Sequence, residues 1–105
     1  MSEKRKRIYP RYQVELPVTI ITDDGDIEAV CVDLSIGGLR ARTDASLIFG
    51  SEVMLRFRIP GLEQDTEVKS AVRWISGGHA GIQFGSLRAR DVWGLNKLIR
   101  KQNAG

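Results

Sequence analysis

With 105 residues the chain has the length of one small domain, and its 42% hydrophobic and 28% charged content is that of an ordinary soluble globular protein. A core of this size leaves little room for an enclosed substrate cavity, so a ligand site is expected as a surface groove. The net charge is +3, but it is unevenly placed: Lys4, Arg5, Lys6, Arg7 and Arg11 put five cations within residues 4–11. Taking those five and Glu3 from 16 basic and 13 acidic residues leaves 11 and 12, so the body is near neutral. A uniformly basic nucleic-acid surface is therefore not expected.

Residues 1–11 are core-poor and highly charged, and are expected to be a mobile basic arm ahead of a domain at 12–105. Pro10 disfavours helix at Tyr9, so the arm should enter the fold extended. The N-terminus lacks the apolar run of a signal peptide. No segment reaches the roughly 20 apolar residues of a membrane span. A cytoplasmic location without membrane insertion is the expectation.

From Tyr12 the sequence alternates, with Val14, Leu16, Val18 and Ile20 on one strand face. Pro17 within that run points to an edge or a bulge. Asp24-Gly25 suits a tight hairpin, and Ile27–Leu34 reads as the return strand. Cys31, the only cysteine, allows no internal disulfide and reads as a buried thiol. Ser35-Ile36-Gly37-Gly38 is a turn, and Leu39–Arg42 a short strand. Val53, Leu55, Phe57 and Ile59 mark the next strand, ended by Pro60-Gly61. Thr66–Ile75 follows, with Val68, Val72 and Trp74 expected in the wall. Gly77-Gly78 turns the chain into Ala80–Phe84. Six short strands with regular turns imply a mainly β antiparallel barrel or sandwich. Val92, Leu95, Leu98 and Ile99 then take helical spacing. They predict a helix over about Leu87 to Gln102, with Ser86 as its N-cap, packed across one barrel mouth.

Two motifs carry the chemistry. Arg7-Ile8-Tyr9-Pro10-Arg11 is an RxxxR spacing, and Asp33-Leu34-Ser35-Ile36-Gly37-Gly38 a DxSxxG spacing. Guanidinium groups donate in a planar fork to phosphates and to the O6 and N7 acceptors of guanine. A carboxylate accepts from the guanine N1 and N2 donors. Asp33 supplies that carboxylate and Ser35 a hydroxyl. Gly37 and Gly38 are expected to permit positive φ and a close approach to a ligand.

The paired motifs, with Val72-Arg73-Trp74 and Gly81-Ile82-Gln83-Phe84, make the chain resemble a PilZ domain from about Lys4 to Gln102. The resemblance implies a six-stranded antiparallel barrel with a C-terminal helix that binds cyclic di-GMP. Arg7 and Arg11 match its arginine motif, and Asp33, Ser35 and Gly38 its second motif. Trp74 matches a position that lies beside the ligand in similar proteins. The residue before the arginine motif, here Lys6, is one that influences whether one ligand or a stacked pair binds, and the stoichiometry stays open.

The arm is then expected to close on the nucleotide and present a new surface to an unidentified protein partner, with the receptor itself a monomer or weak dimer. No cofactor is implied beyond the ligand. His79 lacks companions at metal-ligand spacing, and no nucleophile–base pair, P-loop or GxGxxG occurs, so no enzyme is expected. Trp93 reads as packing or as an exposed partner contact. The competing readings are a small nucleic-acid-binding barrel and a PilZ-type interaction module without ligand.

Overall fold

The computed structural model describes residues 11–104, with side chains described to residue 101. Six strands precede one helix: β1 (Tyr12–Thr22), β2 (Gly25–Leu34), β3 (Gly38–Arg42), β4 (Glu52–Phe57), β5 (Thr66–Ser76), β6 (His79–Phe84) and α1 (Ala89–Ala104). All pairings are antiparallel, and the order β1-β2-β3-β6-β5-β4 closes into a barrel because β1 also pairs with β4. Closure removes the exposed strand edges that would otherwise invite aggregation.

The alternation sets the inside. Val18, Ile20, Cys31, Ala41, Leu55, Val72 and Ile82 are almost wholly buried, and Phe57 stacks on Phe84 at 5.8 Å between ring centres. Burying each such aliphatic or aromatic side chain is worth roughly 1.5–3 kcal/mol. Leu95 joins this core from α1, which is how the helix seats on the barrel. Among the described residues no helix is long and apolar enough to cross a membrane.

Pro17 meets the bulge expectation, while closure of the barrel leaves β1 without an edge. The proline follows a bulge between Gln13 and Leu16, and the β4 ladder begins one residue later at Val18. Its missing N–H is therefore not needed on that side.

Three local expectations change. The β1–β2 loop is Asp23-Asp24, one residue earlier than Asp24-Gly25, with Thr22 paired to Gly25. The Thr22 hydroxyl accepts from the Asp24 N–H at 3.0 Å and donates to the Gly25 carbonyl at 2.8 Å, fixing that register. Gly25 at φ 129° supplies backbone that only glycine adopts easily. The helix starts at Ala89, not at Leu87, and Ser86 is not its cap: the Asp91 and Val92 N–H groups bond back to the Arg88 carbonyl. Asp91, fully buried in the first turn, fixes that start. Its Oδ1 accepts from the Thr66 hydroxyl of β5 at 2.7 Å. Finally, Trp74 is not a wall residue. A bulge between Val72 and Trp74 reverses the alternation, and Trp74 lies outside the barrel with 43% of its surface exposed.

Candidate functional site

The bulge that moves Trp74 is one of three. Each lies beside the same line of residues on the outer face. In β1 the register shifts between Gln13 and Leu16, in β2 between Cys31 and Asp33, and in β5 between Val72 and Trp74. A bulge inserts one residue and re-aims the side chains beyond it. Cys31 pairs with the inward Ala41, but Asp33 pairs with Arg40 of the outer face. Gln13, Asp33, Arg40, Gly81 and Trp74 are then directly opposite one another across β1, β2, β3, β6 and β5. Residues so opposed share a face and lie within side-chain reach.

The DxSxxG turn closes the top of this row. The Ser35 hydroxyl accepts from the N–H groups of Gly37 (3.1 Å) and Gly38 (3.2 Å) and donates to the Gly38 carbonyl (3.3 Å). Ser35 thus shapes the turn that lines the groove. Neither Gly37 nor Gly38 has positive φ, contrary to the sequence expectation. Gly38 is required for another reason: a Cβ there would overlap the Ile82 carbonyl oxygen and sit 3.1 Å from the Gln83 Cα. The glycine lets β3 meet β6 at the point where the turn enters the sheet.

Gly81 has the matching role at the other end. A Cβ on it would run into the Trp74 indole at Nε1 and Cε2. The indole therefore lies over the bare glycine while much of the side chain stays in solvent. Arg11, Ser35, Gly38, Arg40, Arg73 and Trp74 line the resulting groove of about 250 Å³.

Its electrostatics are uneven. Arg11 Nη1 donates to Asp33 Oδ2 at 3.2 Å. The other carboxylate oxygen, Asp33 Oδ1, is buried with no hydrogen-bond partner among the described residues, and so is Arg40 Nε. Leaving such a buried group unmatched costs about 1–3 kcal/mol. Arg40 lines the groove and Asp33 lies directly opposite it on β2, so an unmatched donor and an unmatched acceptor sit together at the groove wall. An indole face, guanidinium groups and a half-used carboxylate suit a planar, anionic ligand with N–H donors.

Of the residues expected from sequence, the structure brings together Arg11, Asp33, Ser35, Gly38 and Trp74. Arg7 and Lys6 lie outside the described residues. Arg40, Arg73 and Gly81 were not anticipated. Arg40 had a signal, since Leu39 and Ala41 inside put it outside. Arg73 and Gly81 lay within two stretches that carry the family resemblance, Val72-Arg73-Trp74 and Gly81-Ile82-Gln83-Phe84, without being singled out as site residues. Among the described residues no three His, Cys, Asp or Glu side chains converge to hold a metal ion.

The family model described as PilZ domain matches residues 5–101, nearly the whole chain. The chain belongs to the PilZ domain family. Solved structures agree with the fold. MotI, the inhibitor of motility of Bacillus subtilis, superposes with a TM-score of 0.82 at 23% identity, covering 99% of this chain and 55% of that one. The chain thus spans about half of MotI. The PilZ domain of CeSA from a cellulose-synthesizing bacterium gives 0.66 at 18% identity, covering 89% and 97%. The PilZ domain of YcgR from Escherichia coli, solved with c-di-GMP, gives 0.68 at 16% identity, covering 95% and 98%. Among curated proteins there is no match.

Proposed function

We propose that this PilZ domain is a receptor for cyclic di-GMP that signals to a protein partner. The observation that carries the reading is the groove lined by Arg11, Arg40 and the Trp74 indole, with a half-satisfied Asp33 directly behind it, paired to Arg11 and opposite Arg40. The YcgR PilZ domain, of the same fold, was solved with that nucleotide. In this reading Asp33 Oδ1 accepts from guanine N1 and N2. Arg11 and Arg7 hold phosphate or the O6/N7 edge. Trp74 stacks on a base, and Ser35 and Gly38 hold the turn against it. Lys6 tunes whether one nucleotide or a stacked pair is bound.

A groove of about 250 Å³ falls short of the roughly 300–1,000 Å³ that encloses a drug-sized ligand. The domain body would grip one edge of the dinucleotide and leave the rest to residues 4–10. Ordering backbone costs roughly 1–2 kcal/mol per residue, and charge-assisted hydrogen bonds contribute about 1.5–3 kcal/mol each. Several such bonds from Arg7 and Arg11 offset the ordering of a short arm, and the closed arm becomes part of the surface a partner reads.

Calorimetry with cyclic di-GMP, with GMP and cyclic di-AMP as controls, tests this. Binding of cyclic di-GMP alone is expected, weakened at least about tenfold by Arg7→Ala or Arg11→Ala. Unchanged affinity in both variants would sink the reading.

A further inference from the structure

We propose that a second groove, between α1 and the loop after β4, docks an acidic segment of a protein partner through an apolar anchor. It is lined chiefly by Tyr12, Pro60, Leu62, Trp93, Lys97 and Lys101, and its volume is about 560 Å³. That lies within the roughly 300–1,000 Å³ of pockets that enclose a drug-sized ligand, which is room for a large side chain. The groove is separate from the one holding Trp74, and the inference does not require nucleotide binding.

Three observations on α1 carry it. Gly94 stands in the helix interior, where glycine costs roughly 1 kcal/mol relative to alanine. A Cβ there would press on Leu62 at 3.0–3.2 Å, so the glycine seats the helix on the loop and shapes the groove floor. Trp93, beside it, is 58% exposed. The Lys97 ammonium lies 4.8 Å from the centre of the Trp93 ring, so cation and aromatic face present a joint surface.

The third observation is charge. Arg11, Arg42, Arg56, Arg58, Arg88 and Arg90 each have a carboxylate within ion-pair distance. Lys97, Arg100 and Lys101 have none among the described residues. The only acid on α1, Asp91, is buried and points into the barrel contact. Favourable interaction with the helix C-terminus accounts for cations in the last turn. It does not account for an exposed tryptophan beside them, or for an apolar groove along their flank.

Charge selects the occupant. The chain's own N-terminal segment carries Lys4, Arg5, Lys6 and Arg7 and would be repelled. A second copy meeting this face symmetrically would set like charge on like. A flat anionic bilayer meets the cations and leaves the concave floor unfilled. An acidic segment bearing one aromatic or leucine side chain satisfies both the cations and the floor.

The test is selection from a random dodecapeptide display library on the full chain. The named variants are Trp93→Ala and the double reversal Lys97→Glu with Lys101→Glu, their folding checked by amide spectra. Asp- and Glu-rich peptides with one large apolar residue are expected, each weakened at least about tenfold by either variant, as for an interface anchor. A basic version of the same peptides is expected to prefer the charge-reversed protein. No enrichment, or peptides indifferent to both variants, overturns the proposal. So does tighter binding of phosphatidylglycerol vesicles or duplex DNA to this face. Cyclic di-GMP calorimetry on the same variants separates the two sites: nucleotide binding retained while selection fails overturns the docking groove alone.

Discussion

Two buried aspartates, Asp33 in β2 and Asp91 in α1, each meet arginine but differ in their state of completion. Asp91 in α1 receives the Thr66 hydroxyl on Oδ1 and Arg88 Nε on Oδ2, at 2.7 and 3.3 Å, and Arg90 Nε stands 3.4 Å from Oδ1. Both oxygens are engaged. Asp33 in β2 receives Arg11 on one oxygen, and the other has no partner among the described residues. A saturated buried carboxylate is a fastening between elements. A half-saturated one is an offer to a ligand; an unmatched arginine nitrogen does not tell the two apart, since Arg90 Nε beside Asp91 also lacks a hydrogen-bond partner among the described residues. Saturation, more than burial or the presence of an arginine, separates structure from function here.

The largest expected effect tests the fastening. Asp91→Ala strands the Thr66 hydroxyl inside the contact and releases α1 from β5. Losing one partner of a buried charge network costs about 3–5 kcal/mol, read as a lower urea midpoint with a similar slope. Cyclic di-GMP affinity of the remaining folded protein is expected to hold.

Asp33→Ala is expected to do the reverse. It removes the acceptor for two guanine donors, and charge-assisted hydrogen bonds contribute about 1.5–3 kcal/mol each. Affinity by calorimetry should therefore fall by at least about tenfold. Stability should move by no more than about 1 kcal/mol, because the Arg11 pair is partly exposed and an unmatched acceptor leaves with the carboxylate. If Asp33→Ala destabilises as strongly as Asp91→Ala and spares binding, the comparison collapses.

How much of this was legible in the sequence follows from which signals are local. The strands and the helix were readable because alternation and helical spacing are written in consecutive residues. Arg11, Asp33, Ser35 and Gly38 were readable because their spacing is that of linear motifs. Trp74 was misassigned because one inserted residue, Arg73, reverses the alternation, and no residue type announces a bulge. Arg40 and Arg73 come together only through β6, which pairs with both β3 and β5. Asp91 finds Thr66 25 residues away. Such partners become visible only when the barrel closes.

A smaller effect tests the outer row itself. Gly81→Ala places a Cβ where the indole of Trp74 now lies, so the ring must lift from the sheet. Stacking of a base on an aromatic side chain is worth about 1–3 kcal/mol, and tilting the ring forfeits part of it. Affinity is expected to drop several-fold, less than in Trp74→Ala, with a shift in tryptophan emission before any ligand is added. An unshifted emission would mean that Gly81 does not set the indole position.

The smallest effect concerns the interior neighbour of Asp33. Burial pushes the Cys31 thiol from its ordinary 9.0 up to about 12; a backbone hydrogen bond at Asp33 opposes this, and the nearby Asp33 charge adds to it. The raised value means that the folded state holds the thiol proton more tightly than the unfolded chain does. That contribution to stability is complete below pH 9 and is lost as the pH climbs toward 12. Measured as the difference from Cys31→Ala, which cancels the tyrosines and lysines, stability should be flat to about pH 9 and decline above it. At pH 8 a thiol reagent should label the protein only as fast as it unfolds. Rapid labelling of the folded chain would place Cys31 on an accessible path. It would then no longer mark the closed side of the β2 bulge that turns Asp33 outward.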